Sequence, residues 1–214
     1  MISIGFVVAG YTQTNGIGNS DPDAKKILDQ VSAKVKSYKA IQANFTLQIE
    51  DAKGNPQGSK KGILYSKGNK YRVTLTGQEV FCDGKTVWTY DKSSNEVTVT
   101  KFDASANTMT PQKLLTNFYD KDYLYKLNGE QKLGNRAVQE IEMTPVDKTK
   151  NFYKIYLYID KAKKTVYSGK LLDKSGNRYL YTINSLNGNA AITDNTFVFD
   201  KSKYPGVEVV DLGE

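Results

Sequence analysis

A chain of 214 residues with 39% hydrophobic and 25% charged side chains can bury a sizeable core without disulfides, as one all-β domain or two small ones. It has one cysteine, Cys82, and no histidine, which excludes an intramolecular disulfide, a cysteine-rich zinc site and any catalytic constellation built on imidazole. The net charge of +7 rests on lysine, with arginine only at Arg72, Arg136 and Arg178; this suits a solvated surface, anionic lipid or an acidic partner better than nucleic acid.

The run ISIGFVVAG at residues 2–10 is too short to cross a bilayer, yet it matches the apolar part of a secretory signal. The usual positive flank before such a run is missing. Residues 1–19 are therefore read as a signal-peptide remnant, with a disordered start or an N-terminal strand as the plain alternatives. Export is compatible with a lone cysteine, and no cysteine lies near residues 8–20 to take a lipid anchor. Residues 20–214 carry no linker that would split them, so they are expected to form a single domain.

Ser20-Asp21-Pro22 opens a helix, with a capping side chain followed by proline where its missing N–H costs nothing. Ile27, Leu28, Val31, Val35 and Tyr38 recur every three or four residues and form one apolar stripe, while the lysines fall largely elsewhere. From Ile41 the period changes to two: Phe45, Leu47 and Ile49 alternate with polar neighbours, as in a half-buried strand. After the turn-rich DAKGNPQG comes Gly62–Asp91, which predicts three further short strands. Tyr71, Val73 and Leu75 alternate there, and Asp83-Gly84 reads as a type I′ hairpin. Trp88 and Tyr90 then share one face of the strand that follows. Glu96–Phe102 is the next strand. Thr110-Pro111 opens a short helix whose Leu114, Leu115 and Phe118 share a face and need something apolar to dock on.

The second half predicts strands at Asp122–Leu127, Ala137–Thr144, Phe152–Asp160, Thr165–Asp173, Arg178–Ile183 and Thr196–Phe199. In Phe152–Asp160 the residues Tyr153, Ile155, Leu157 and Ile159 line one face, with Tyr156 and Tyr158 on the other. About eleven strands joined by hairpin-length turns argue for an antiparallel, mainly β fold that closes or curls around an interior. Whether that interior is a packed core or a pocket is open at this point, as is the part played by the 15 tyrosines and 8 phenylalanines.

Chemistry has little to stand on. Without histidine there is no Ser-His, Cys-His or HExxH arrangement, and no phosphate-binding glycine loop stands between a strand and a helix. Glu140 and Glu142 share a strand face and read as its solvated side rather than as a glycosidase pair. Cys82 reads as a small buried hydrophobe. No catalytic residue, metal or cofactor is expected.

Taken together, several stretches resemble the LolA family of periplasmic carriers of outer-membrane lipoproteins. They are the first amphipathic helix, Phe45-Thr46-Leu47-Gln48, Gly62-Ile63-Leu64-Tyr65, Lys70-Tyr71-Arg72, the run Asp83–Asp91 (DGKTVWTYD), Glu96-Val97-Thr98-Val99, Thr110-Pro111, and the ending Phe197-Val198-Phe199 with Pro205-Gly206-Val207-Glu208-Val209. The resemblance implies an unclosed antiparallel barrel of about eleven strands, with helices forming a lid over an apolar cavity. It also implies a periplasmic, non-enzymatic monomer. Such a monomer would take acylated lipoproteins from an inner-membrane ABC transporter and pass them to an outer-membrane acceptor. A lipid-binding sensor or regulator of the envelope on the same fold is the alternative.

On this reading the cavity is lined by Phe45, Leu47, Ile49, Leu64, Tyr71, Val73, Val80, Trp88, Tyr90, Ile155 and Leu157, and the lid carries Leu114, Leu115 and Phe118. Many members hold the lid with an arginine followed by proline before the third strand. Here that stretch reads Ser66-Lys67-Gly68-Asn69, which leaves Lys67 or Arg72 as the candidate latch.

Overall fold

The computed structural model describes residues 20–103 and 119–213. Helix α1 spans Pro22–Lys36. It starts where the capping chemistry predicts: Asp21 is extended at the N-cap, its side chain accepts from the Asp23 N–H, and Pro22 takes the first helical position. Ala24, Ile27, Leu28, Val31 and Val35 are buried, so the stripe read from the sequence is the face that packs.

Twelve strands form one sheet: β1 (Ile41–Glu50), β2 (Pro56–Lys67), β3 (Lys70–Leu75), β4 (Gln78–Cys82), β5 (Thr86–Asp91), β6 (Glu96–Lys101), β7 (Tyr123–Leu133), β8 (Arg136–Pro145), β9 (Phe152–Asp160), β10 (Thr165–Asp173), β11 (Arg178–Asn187) and β12 (Glu208–Asp211). Their spatial order is β12-β6-β5-β4-β3-β2-β1-β11-β10-β9-β8-β7, so two edges remain and the sheet is unclosed. Every pairing is antiparallel except that of β12 with β6. Only one sizeable helix stands among the described residues; the predicted second helix, with Leu114, Leu115 and Phe118, lies outside them.

Three local expectations are corrected. The Asp83-Gly84 turn is a three-residue loop in which only Gly84 has positive φ (92°). It is not type I′, because Asp83 spends its carboxylate on the N–H groups of Lys85 and Thr86. Thr196–Phe199 is not a strand. Asp194–Phe197 is a 3₁₀ turn, since the single ring Phe197 is buried there while Val198 faces out. In β9 a bulge opposite Leu172/Asp173 resets the alternation, so Phe152 joins the core and Tyr153 is left exposed.

The pleat gives the sheet two faces, and α1 marks the inner one. The helix packs on Tyr123, Tyr125, Ile141, Met143, Ile155, Leu157 and Ile159 in one core with Ile41 and Ala43. Its N-terminus is clasped to edge strand β7: the Asp21 N–H donates to the Tyr125 carbonyl, and the Leu127 N–H donates to Asp21 Oδ2. Farther along, the Tyr119 hydroxyl donates to Asp29 Oδ1 at 2.8 Å.

On the outer face, the chain after β11 crosses the sheet as a strap. It begins beside Ala40, where the Ala190 N–H donates to the Ala40 carbonyl, and reaches the β2–β3 turn, where Asp194 accepts from Lys67 at 3.0 Å and Lys70 at 2.7 Å. Phe199 and Tyr204 then pack on Phe81 and Tyr90, and β12 closes the crossing by adding to β6.

Candidate functional site

Strand pairing aligns a row of side chains on the inner face that runs outward from the core beneath α1, to which Ala43 belongs and against which Leu64 packs. Ala43 lies opposite Leu64, Leu64 opposite Val73, Val73 opposite Val80, and Val80 opposite Thr89. A second row runs Ser66, Tyr71, Cys82 and Val87. Leu75, which pairs with Gly62, extends the patch along β3. Leu64, Val73, Leu75, Val80 and Val87 are only half-buried, so aliphatic surface is left for something apolar to cover.

The patch is shaped as well as apolar. Phe45 lies opposite Gly62, and a Cβ at residue 62 would sit 2.4 Å from Phe45 Cζ and 2.8 Å from the Thr74 carbonyl oxygen. Glycine is what lets the ring lie flat across β2. Tyr71 is buried, and that burial, with Cys82 beside it, pushes its phenol up to about 12. Burial likewise raises the Cys82 thiol. Both are neutral at neutral pH, so this part of the face carries no charge. Its chemistry is that of a binding surface, and among the described residues no group of acidic or cysteine side chains has the makings of a metal site.

The expected lining divides into three. Phe45, Leu47, Ile49, Leu64, Tyr71, Val73 and Val80 share the inner face by register. Ile155 and Leu157 share that face too, but they are sealed in the core under α1, 4% and 5% exposed. Trp88 and Tyr90 are corrected. They occupy the outer face with Phe81 and Val97, where Tyr90 lies 4.6 Å from the Tyr204 ring and Trp88 packs against the same cluster. Alternation along β5 predicted that the two rings share a face but could not say which. Val87 and Leu75 belong to the inner patch as well, beyond the expected lining; β-strand parity with Val73, traced across the hairpins, is the signal that finds them.

Arg72 also faces outward. It donates to Glu79 Oε2 from Nη2 at 2.6 Å and from Nε at 3.2 Å, and lies 4.6 Å from the Phe81 ring centroid. Lys67 is committed to Asp194 on the strap. Neither cation is placed on the inner face. Glu140 and Glu142 take Asn128, Gln131 and Lys154 as partners, consistent with a solvated strand face.

The family model described as "Outer membrane lipoprotein carrier protein LolA" matches residues 36–200. An outer-membrane lipoprotein carrier protein of Cupriavidus necator is 27% identical over 184 residues, covering 82% of this chain and 84% of that protein. The carrier protein of Pasteurella multocida is 29% identical over 194 residues, covering 88% and 87%. Among solved structures, an uncharacterized conserved protein from Thermus thermophilus superposes with a TM-score of 0.59 at 17% identity, over 88% of this chain and 99% of that one. MucB superposes with a TM-score of 0.50 at 18% identity, over 90% of this chain and 67% of its own. At these identities the two structures speak for the fold alone.

Proposed function

This chain belongs to the LolA family, and from that premise we propose that it carries acylated lipoproteins across the periplasm, holding their acyl chains on the inner-face patch of β1–β5. The supporting observation is the half-buried aliphatic row Leu64, Val73 and Val80, flanked by Phe45 and Tyr71 and free of charge. The family's carriers are not enzymes. The work is therefore binding and release.

Binding follows from area. Each methylene moved from water onto the patch contributes about 0.8 kcal/mol, so a few carbons of each chain are enough for capture. Release requires that the patch not seal its cargo, and side chains that remain half-buried meet that condition. An inner-membrane ABC transporter as donor and an outer-membrane acceptor complete the proposed route. In this scheme Leu114, Leu115 and Phe118 cover the bound chains.

The test is capture of a purified triacylated lipoprotein against its unacylated form. The wild-type chain should retain the first and not the second. Val73→Glu puts a carboxylate in the middle of the row, at a half-buried position that tolerates it, and should lower retention at least about tenfold. Equal retention of both forms, or a Val73→Glu protein that folds and binds like wild type, would refute the reading.

A further inference from the structure

On the other side of β1 from that patch, a cavity of about 330 Å³ opens between the C-terminal end of α1 and the strands β8–β11. Its floor is apolar: Val166, Ile183 and Leu186. Its rim is basic, with Lys34 from α1, Arg136 at the start of β8 and Lys163 from the β9–β10 turn. We propose that this cavity is a second binding site, for an anionic amphiphile whose carboxylate or phosphate meets the rim while its chain enters over the floor.

The electrostatics favour that class. Three cations stand around the cavity against one carboxylate, Asp160. That carboxylate is committed: it accepts from Arg136 Nη1 at 2.9 Å and from the N–H groups of Ala162 and Lys163 at 3.0 Å. Burial raises the Asp160 acid, but these donors bring it net below its ordinary value, so it stays ionised as an internal counter-ion. Arg136 is thereby fixed with its guanidinium 4.7 Å from the Tyr167 ring centroid, while Lys34 and Lys163 have no carboxylate partner among the described residues. The last carbonyls of α1, which would repel an anion, are taken up by the Ser37 and Tyr38 N–H groups. A volume at the lower end of the range for ligand pockets suits one short chain rather than a whole lipid.

The experiment titrates the full chain with dodecanoate, dodecyl phosphate, dodecanol and inorganic phosphate, following backbone amide shifts by NMR. Dodecanoate and dodecyl phosphate are expected to move the Thr165, Asn184 and Ser185 amides. Lys34→Gln/Lys163→Gln removes two exposed cations without uncovering Asp160, and should weaken those shifts' titration about fivefold while leaving dodecanol unaffected. A preference for one head group over the other tells a carboxylate ligand from a phosphate one, and either supports the site. Binding of inorganic phosphate as tight as that of dodecyl phosphate would overturn the amphiphile. So would shifts confined to Leu64, Val73 and Val80, or an affinity unchanged by the double substitution. Those same inner-face shifts read the carrier proposal separately, so one can fail while the other stands.

Discussion

Strands β3–β6 carry two surfaces that could hardly differ more. Inward, Val73, Leu75, Val80 and Val87 give an aliphatic patch that is left half-buried. Outward, the intervening residues Phe81, Trp88, Tyr90 and Val97 are tied down by Phe199, Tyr204 and Val207 of the strap. Polar groups lock that side as well: Glu79 takes Arg72 on one carboxylate oxygen and the Tyr204 hydroxyl on the other. One set of strands thus keeps rigid, through the residues on its outer side, a surface that its inner side leaves available. A binding face need not be braced by what it binds, provided the reverse side is braced instead.

The largest effect should come from breaking the outer side. Phe81 is 3% exposed under Phe199 and Arg72, and Phe81→Ala should cost about 3–5 kcal/mol of stability in urea unfolding while acyl-chain binding by the folded fraction is unchanged. Loss of binding in folded Phe81→Ala protein would mean that the two faces are not separable. Gly62→Ala should cost less, about 1–3 kcal/mol, but it strikes the inner face by displacing the Phe45 ring, so binding should fall along with the unfolding midpoint.

Acid should loosen the molecule at α1, and in the same way at the strap, where Lys70 and Lys67 hold the Asp194 carboxyl below its ordinary value. The N–H groups of Leu127 and Asp23 hold the Asp21 carboxyl below its ordinary value of 3.8, and the Tyr119 hydroxyl does the same for Asp29. Since their folded values lie below the unfolded ones, the stability they add is present above about pH 4 and is lost as pH falls through the folded values. Amide exchange measured as pH is lowered should therefore report α1, β7 and the strap opening before β3 and β4; the reverse order would count against this assignment.

Smaller still is the chemistry of Cys82. With no exposed surface and a raised thiol, it should resist a thiol reagent at about pH 8 and react only as fast as the inner face opens. The smallest effect belongs to Lys67→Ala, because Lys70 remains on Asp194; a modest loss of strap protection, with acyl-chain binding unaltered, is expected.

Much of the architecture was legible because it rests on period. The limits of β9 and β10 are those the alternation gives, and α1 begins at the proline that follows its cap. Phase was harder. Trp88 and Tyr90 advertise a shared face but not its identity, which only their pairing through β4 to Phe81, and the strap above, decides. Bulges compound this: the one in β9 hands the core position from Tyr153 to Phe152, and a residue count carries no sign of it. β12 is not legible in the sequence because four residues with one half-buried side chain have no pattern to find; its partner β6 makes it a strand. The rows of the inner face were visible as strands, but their union into a patch depends on register between hairpins.

Because β12 lies parallel to β6, no hairpin can deliver it; the chain must cross the sheet first, and the Asn95 side chain meets the Pro205 carbonyl across 110 residues of sequence. Closing so long a loop is slow compared with zipping the β3–β6 hairpins, so β12 is expected to dock after those hairpins have formed. Until then β6 is a bare edge, open to pairing with another chain. Pulse-labelled hydrogen exchange should find the Glu208 and Leu212 amides, which bond to Asn95 and Val99, protected after those of β3–β5, and earlier protection would contradict this order. Strand β12 therefore serves as the seal on folding: until it pairs, copies that have not finished folding can join through the edge that it shuts.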